Sequence, residues 1–171
     1  VSFLRYSAQT GTWSTRGGTI DIDGAVWDLA NVPTGWIGFA PGQPPDFAWD
    51  VDGKALPRPS KEHRRGFSLR LALGDEIYEL TSTGTGLISA LVRLHSEYEA
   101  SPEHAQGLLP VVDCLDPVET ETPFGRVFDP DLRIVHWVRR PAALPHTPQP
   151  IGGLPATRGT AAADLDDDIP F

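Results

Sequence analysis

The sequence predicts a small, mainly β domain with a single helix, followed by a C-terminal tail of different composition. Three observations carry that expectation. Seventeen prolines and seventeen glycines punctuate a chain of 171 residues, which favours short strands and turns over long helices. In Phe67-Ser68-Leu69-Arg70-Leu71-Ala72-Leu73, large apolar residues recur at every second position, the period of a strand. Apolar residues at helical spacing occur in one convincing stretch, residues 83–99.

Taken in order, Phe3-Leu4-Arg5-Tyr6 and the segment around Trp13 read as strands, and Gly17-Gly18 as a turn. Thr19 to Leu29 mixes β-formers with Asp23-Gly24, predicting a long strand with a bend or a hairpin. Residues 31–62 have the composition of a loop: Trp36, Phe39, Phe47 and Trp49 are interspersed with Pro33, Pro41, Pro44, Pro45, Pro57 and Pro59. A loop that long in a compact domain usually has a function. In the strand at 67–73, Phe67 falls on the core side and Arg70 on the opposite face. Gly74-Asp75 then turns the chain into a strand at Glu76–Leu80. Leu87, Ile88, Leu91, Leu94 and Tyr98 form the helical stripe, with Ser82 or Thr83 as N-cap and Pro102 as terminator. Further strands are expected at Leu109–Leu115, Gly125–Phe128 and Leu132–Val138. About three strands, a helix, then two more strands is the order of an OB-type Greek-key β-barrel, whose helix follows the third strand. Another α+β sheet with one helix has the same order.

The expected domain therefore covers residues 1–140. Residues 141–160 hold five prolines and three glycines and read as a flexible, semi-extended linker. The chain ends in Leu-Asp-Asp-Asp-Ile-Pro-Phe, 165–171, a unit suited to docking and expected to be disordered when unbound. A terminal carboxylate and the Phe171 ring suit a pocket with a basic rim. Pro170 limits the conformations lost on binding, and Asp166, Asp167 and Asp168 attract a basic surface from a distance.

Asp166-Asp167-Asp168-Ile169-Pro170-Phe171 resembles the C-terminal tip of bacterial single-stranded DNA-binding proteins. In that family the tip recruits replication, recombination and repair enzymes, and a linker rich in glycine, proline or glutamine precedes it. The resemblance covers those six residues and the layout of domain, linker and tip at 161–171. The body lacks the cellular family's sequence pattern, which points to a phage or plasmid protein using the host's docking code.

The formal charge of −9 looks unfavourable for a nucleic-acid binder, but its distribution decides more than its sum. Four aspartates and no base lie in the last eleven residues, while Lys54, Arg58, Lys61, Arg64, Arg65 and Arg70 face only Glu62 within 54–70. Single-strand binders join such a positive groove to aromatic platforms on which bases stack. The candidate DNA-binding residues are therefore Trp36, Phe39, Phe47, Trp49, Lys54, Arg58, Lys61, Arg64, Arg65 and Arg70, with Trp13, Trp27 and Trp137 assigned to the core. Each of the four platform candidates could equally be a core ring, and the basic cluster could be an ordinary exposed loop.

Other chemistry finds little footing. There is no phosphate-binding Gly-rich loop with Lys-Ser/Thr. Asp50-Val51-Asp52-Gly53 starts like a calcium loop but lacks its later ligands. The five histidines show no metalloprotease spacing, and Cys114 lies in an apolar strand. No enzymatic activity, cofactor or metal is implied. One cysteine, no spanning apolar run and no secretion-signal pattern predict a cytoplasmic protein without membrane contact. The expected partners are single-stranded DNA and the enzymes that dock on the tip, with homo-oligomerisation left open. An adaptor or inhibitor that mimics the tip without binding DNA, and a DNA-processing enzyme that carries it, are the alternatives.

Overall fold

The structure is a computed structural model describing residues 1–145. Its strands are β1 (Ser2–Ser7), β2 (Thr12–Thr15), β3 (Gly18–Thr19), β4 (Ala25–Trp27), β5 (Thr34–Gly38), β6 (Asp46–Trp49), β7 (His63–Leu73), β8 (Glu76–Ser82), β9 (Leu109–Thr122) and β10 (Gly125–Val138). Helices α1 (Thr85–Ala100) and α2 (Pro102–Ala105) separate β8 from β9. The sheet runs β10-β9-β4-β7-β8-β1-β2-β3, and β5 and β6 continue it beside the first half of β7. Every pairing is antiparallel except β1 with β8.

β7 organises the sheet. Its odd residues Phe67, Leu69 and Leu71 are fully buried in the main core, and Ser68, Arg70 and Ala72 occupy the other face. β8 flanks it on one side; β5 and β4 share the other, β5 against residues 63–67 and β4 against 71–72. The core gathers Leu4, Trp13, Ile22, Trp27 and Leu80 with the α1 stripe Leu87, Leu91, Leu94 and Tyr98. Trp27 is fully buried and Trp13 nearly so, while Trp137 packs against this cluster half-buried.

The sheet curls strongly, so that its two ends approach each other. The Phe128 amide donates to Ala8 O and the Tyr6 hydroxyl donates to Phe128 O, each at 2.7 Å. Where the β1–β2 turn touches β9, Gly11 has φ +69°, and a Cβ there would lie 2.6 Å from the Pro117 ring. Only glycine suits that contact.

Three expectations need correction. Eight strands precede the helix rather than about three, because the early segments are broken by turns into short pieces. The strands expected at 125–128 and 132–138 are one strand, kept in register with β9 by an irregularity at Asp129–Asp131. The N-cap of α1 is Gly84, with the Ser82 hydroxyl accepting the Gly84 amide at 3.0 Å instead of capping the helix itself.

Packed structure continues past residue 140. Arg140 forms a two-pronged ion pair with Asp28, both bonds 2.9 Å, and also donates to Pro145 O at 3.0 Å. Leu144 is buried with Ala72 and Leu109 on the outer face of the sheet. The rest of the expected linker, from 146, and the expected docking tip lie outside the described residues.

Candidate nucleic-acid interface

The segment expected to be a loop contains a β-hairpin. β5 and β6 pair from Gly35↔Trp49 to Gly38↔Asp46, and β5 pairs with β7 from Thr34↔Phe67 to Gly38↔His63. The approach is close at Gly35, where a Cβ would sit 2.5 Å from Ala48 O and 2.8 Å from the Trp49 Cα. The result is a three-stranded ribbon whose two faces carry different chemistry.

One face presents Trp36, Ala48 and Arg65. Trp36 is fully buried and donates its indole N–H to Leu56 O at 2.6 Å. The guanidinium groups of Arg65 and Arg58 lie over its ring, 5.2 and 5.6 Å from the centroid. Arg65 is itself buried and grips Asp50 with two hydrogen bonds, 2.7 and 2.5 Å, while the Thr34 hydroxyl donates to the same carboxylate. Arg58 donates to His63 O at 3.0 Å and Lys61 O at 3.1 Å, which fixes the basic loop against β7.

The other face presents Ile37, Phe47 and Trp49 together with Arg64. Phe47 and Trp49 stack on each other, centroids 4.8 Å apart and planes 15° apart, and both are buried. Two buried donors on this face meet no acceptor among the described residues, Trp49 Nε1 and Arg70 Nε. Arg70 lies 4.0 Å from Glu79, which offsets its charge.

The candidate residues thus divide. Trp36, Phe47 and Trp49 are core rings with their faces occupied; Phe39, just past β5, is 54% exposed. Lys54, Arg58, Lys61 and Arg64 are exposed, whereas Arg65 is structural and Arg70 half-buried. The register brings Arg64 opposite Ile37 and His63 opposite Gly38, so Phe39, Lys61 and Arg64 gather at one end of the ribbon. Sequence reasoning missed two exposed rings, Phe3 at 64% and Phe124 at 99%. Phe124 tips the long β9–β10 hairpin in a Pro-Phe-Gly turn, where a ring has no strand neighbour to cover it. That hairpin is acidic, with Arg126 bound to both Glu119 and Glu121.

Ser60, His63 and Asp46 form a hydrogen-bonded chain, Oγ to Nδ1 and Nε2 to Oδ2, each 2.8 Å. The serine oxygen also takes the Glu62 amide at 3.2 Å, and the His63 ring packs over Gly38. This is the geometry of a turn clamp that pins β6 and the basic loop to β7. Cys114 has its thiol pushed up to about 12, first by burial and then by Asp23, Asp113 and Asp21; a thiol so protonated is a poor nucleophile. Among the described residues no His/Cys/Asp/Glu group could hold a metal ion, and no helix is long and apolar enough to cross a membrane. The chain matches no known protein-family model, no curated protein and no solved structure.

Proposed function

We propose that the chain is a single-stranded DNA-binding protein, encoded by a phage or plasmid and acting in the bacterial cytoplasm, that coats DNA and recruits replication, recombination and repair enzymes through its tip. The observation that carries this reading is the run Asp166 to Phe171, an acidic stretch followed by Ile-Pro-Phe. Acidic runs are common, but one followed by Ile-Pro-Phe is far more restrictive.

The connectivity supports an OB-like body. Strand β4 with its extension β5, then β7, β8, α1, β9 and β10, with β4 antiparallel to β9, is the order of a five-stranded Greek-key barrel. β1 lies parallel to β8, in the gap between β8 and β10. In OB domains the second and third strands and the loop before them bind oligonucleotides. Here that loop carries Phe39, Lys54, Arg58 and Lys61, and the second strand carries Arg64.

Contact then runs mainly through phosphates, with Phe39 as the stacking ring. Arg65 acts by position: bound to Asp50 and laid over Trp36, it holds the ribbon on which Arg64 and Phe39 sit. The four exposed cations of this loop and strand contribute about −2.8 to the log–log salt slope, at about −0.7 per phosphate contact.

Anisotropy of a labelled oligo-dT, titrated with the full chain at several salt concentrations, tests the DNA role. Tryptophan quenching would report poorly, because Trp36 and Trp49 are buried. Saturable binding with a slope at least that steep, lost in K61E/R64E, is expected; absence of binding at low salt refutes coating. The acidic β9–β10 hairpin and net charge would then favour the adaptor that only displays the tip. Deleting residues 166–171 should abolish capture of host repair or replication enzymes, and undiminished capture would overturn the docking role.

A further inference from the structure

A cleft of about 560 Å³ lies on the β1–β2 hairpin, away from the ribbon just described. It is lined by Phe3, Arg5, Ser14, Thr15, Arg16 and Gly17, with Phe3 64% exposed and both arginines exposed. Neither Arg5 nor Arg16 makes an ion pair among the described residues. In a chain of charge −9, two uncompensated guanidinium groups flanking a ring and two hydroxyls need an explanation.

Register gives one. Arg5 is opposite Ser14, Phe3 opposite Glu79, and Glu79 opposite Arg70. Residues opposite each other project from the same side of a sheet, and so do residues two or six apart in a strand. Phe3 and Arg5 of β1, Thr81 of β8, and Ser68, Arg70 and Arg64 of β7 therefore occupy one face. The cleft continues the face that bears Arg64 at one end of β7. Between them the sheet is covered by the buried, hydrogen-bonded Ser68 and its partner Thr81 and by Arg70 set 4.0 Å from the buried Glu79, so the accessible cations of this face are at its two ends. From β7 to β2 is three strand spacings, about 14 Å.

We propose that this cleft is a second contact site for single-stranded DNA, in which Arg5 and Arg16 bind backbone phosphates and Phe3 stacks a base, so that the bound strand crosses the sheet from the basic loop to the β1–β2 hairpin. The inference rests on the DNA-coating reading and extends it. Guanidinium pairs suit phosphate oxygens in two-pronged geometry, and an exposed ring accepts any base. The hairpin thereby lengthens the bound strand within the roughly 4–16 nucleotides that OB domains cover.

The test compares the full-length wild type with R5A/R16A, F3A, R5K/R16K and a control of equal charge loss, R93A/R139A. Labelled oligo-dT strands of increasing length are titrated across salt, with dTMP as competitor, and thermal midpoints establish that each variant is folded. For long strands, R5A/R16A is expected to bind about tenfold more weakly, with a salt slope shallower by about 1.4 for two lost phosphate contacts. The shortest strand that still binds should lose nothing. R5K/R16K should restore the slope, the control should leave it unchanged, and dTMP should fail to compete. If the wild type binds dT and R5A/R16A matches it at every length, the cleft proposal is overturned while the coating role stands. If dTMP competes as well as the strand, the cleft is a mononucleotide site and the proposal is equally overturned. If the wild type binds no strand at low salt, the coating reading falls and this proposal with it.

Discussion

Replacing Arg140 by alanine removes the guanidinium from an Asp28 carboxylate that is 1% exposed. The pair is held by two hydrogen bonds of 2.9 Å, and Arg140 is 18% exposed along its side chain. Breaking a buried pair costs about 3–5 kcal/mol, because the remaining charge stays in a poorly solvating site. Partial water access through the arginine side places R140A near the lower end, about 3 kcal/mol. For a domain of this size that lowers the thermal midpoint by about 6–12 °C. D28N leaves its cation nearer water and should cost less, about 1–2 kcal/mol. D28L/R140M, which replaces both charges by apolar groups, should return to within about 1 kcal/mol of wild type. Urea unfolding followed by tryptophan emission measures all three, since Trp13, Trp27, Trp36 and Trp49 leave buried sites together. A shift in midpoint at constant m is a change in stability alone. A loss below about 1 kcal/mol in R140A would refute the reasoning, and so would a double variant as unstable as the single one.

Three other outcomes are expected. Y6F, which removes the hydroxyl donated to Phe128 O, should cost about 1 kcal/mol at neutral pH by urea unfolding. Burial, then Asp129 and Cys114, push the Tyr6 hydroxyl up to about 12 from 10.0. Its contribution is therefore complete below pH 10 and lost between pH 10 and 12; Y6F should lack that part of the alkaline loss. G35A forces a methyl onto the Ala48 carbonyl and should destabilise by about 1–3 kcal/mol, seen as a lower thermal midpoint. Cys114 should react with a thiol reagent at pH 8 about a thousandfold more slowly in the native protein than in urea, given its rise from 9.0 to about 12; equal rates would contradict its protonated state.

Local pattern explains what the sequence made legible. The alternation in 67–73 placed Phe67, Leu69 and Leu71 in the core and Arg70 on the far face, as found. The stripe from Leu87 to Tyr98 defined α1, since both helical spacing and a stopping proline are local signals. The hairpin β5–β6 escaped notice because flanking prolines gave its segment a loop's composition. What buries Trp36 is a carbonyl twenty residues away and two arginines from other segments. No local period encodes such partners. Likewise, whether Arg65 reaches DNA or Asp50 depends on the β5–β7 register, which the sequence leaves open. The cleft at Arg5 and Arg16 escaped for the same reason: it requires β1 and β2 to be paired.

Arg140 and Leu144 also fix a point of departure. With Arg140 gripping both Asp28 and Pro145 O, and Leu144 wedged beside Ala72, the chain leaves the sheet from a set place. Residues 146–171 number 26, so whatever their path Phe171 stays within about 90 Å of Pro145. One molecule confined to a sphere of that radius has a mean concentration of about 0.5 mM. If Asp166–Phe171 docks an enzyme as proposed, that enzyme is kept within the same distance of whatever the domain holds. Loosening the Arg140 grip would move the centre of that sphere, an effect separable from any change in the tip's own affinity.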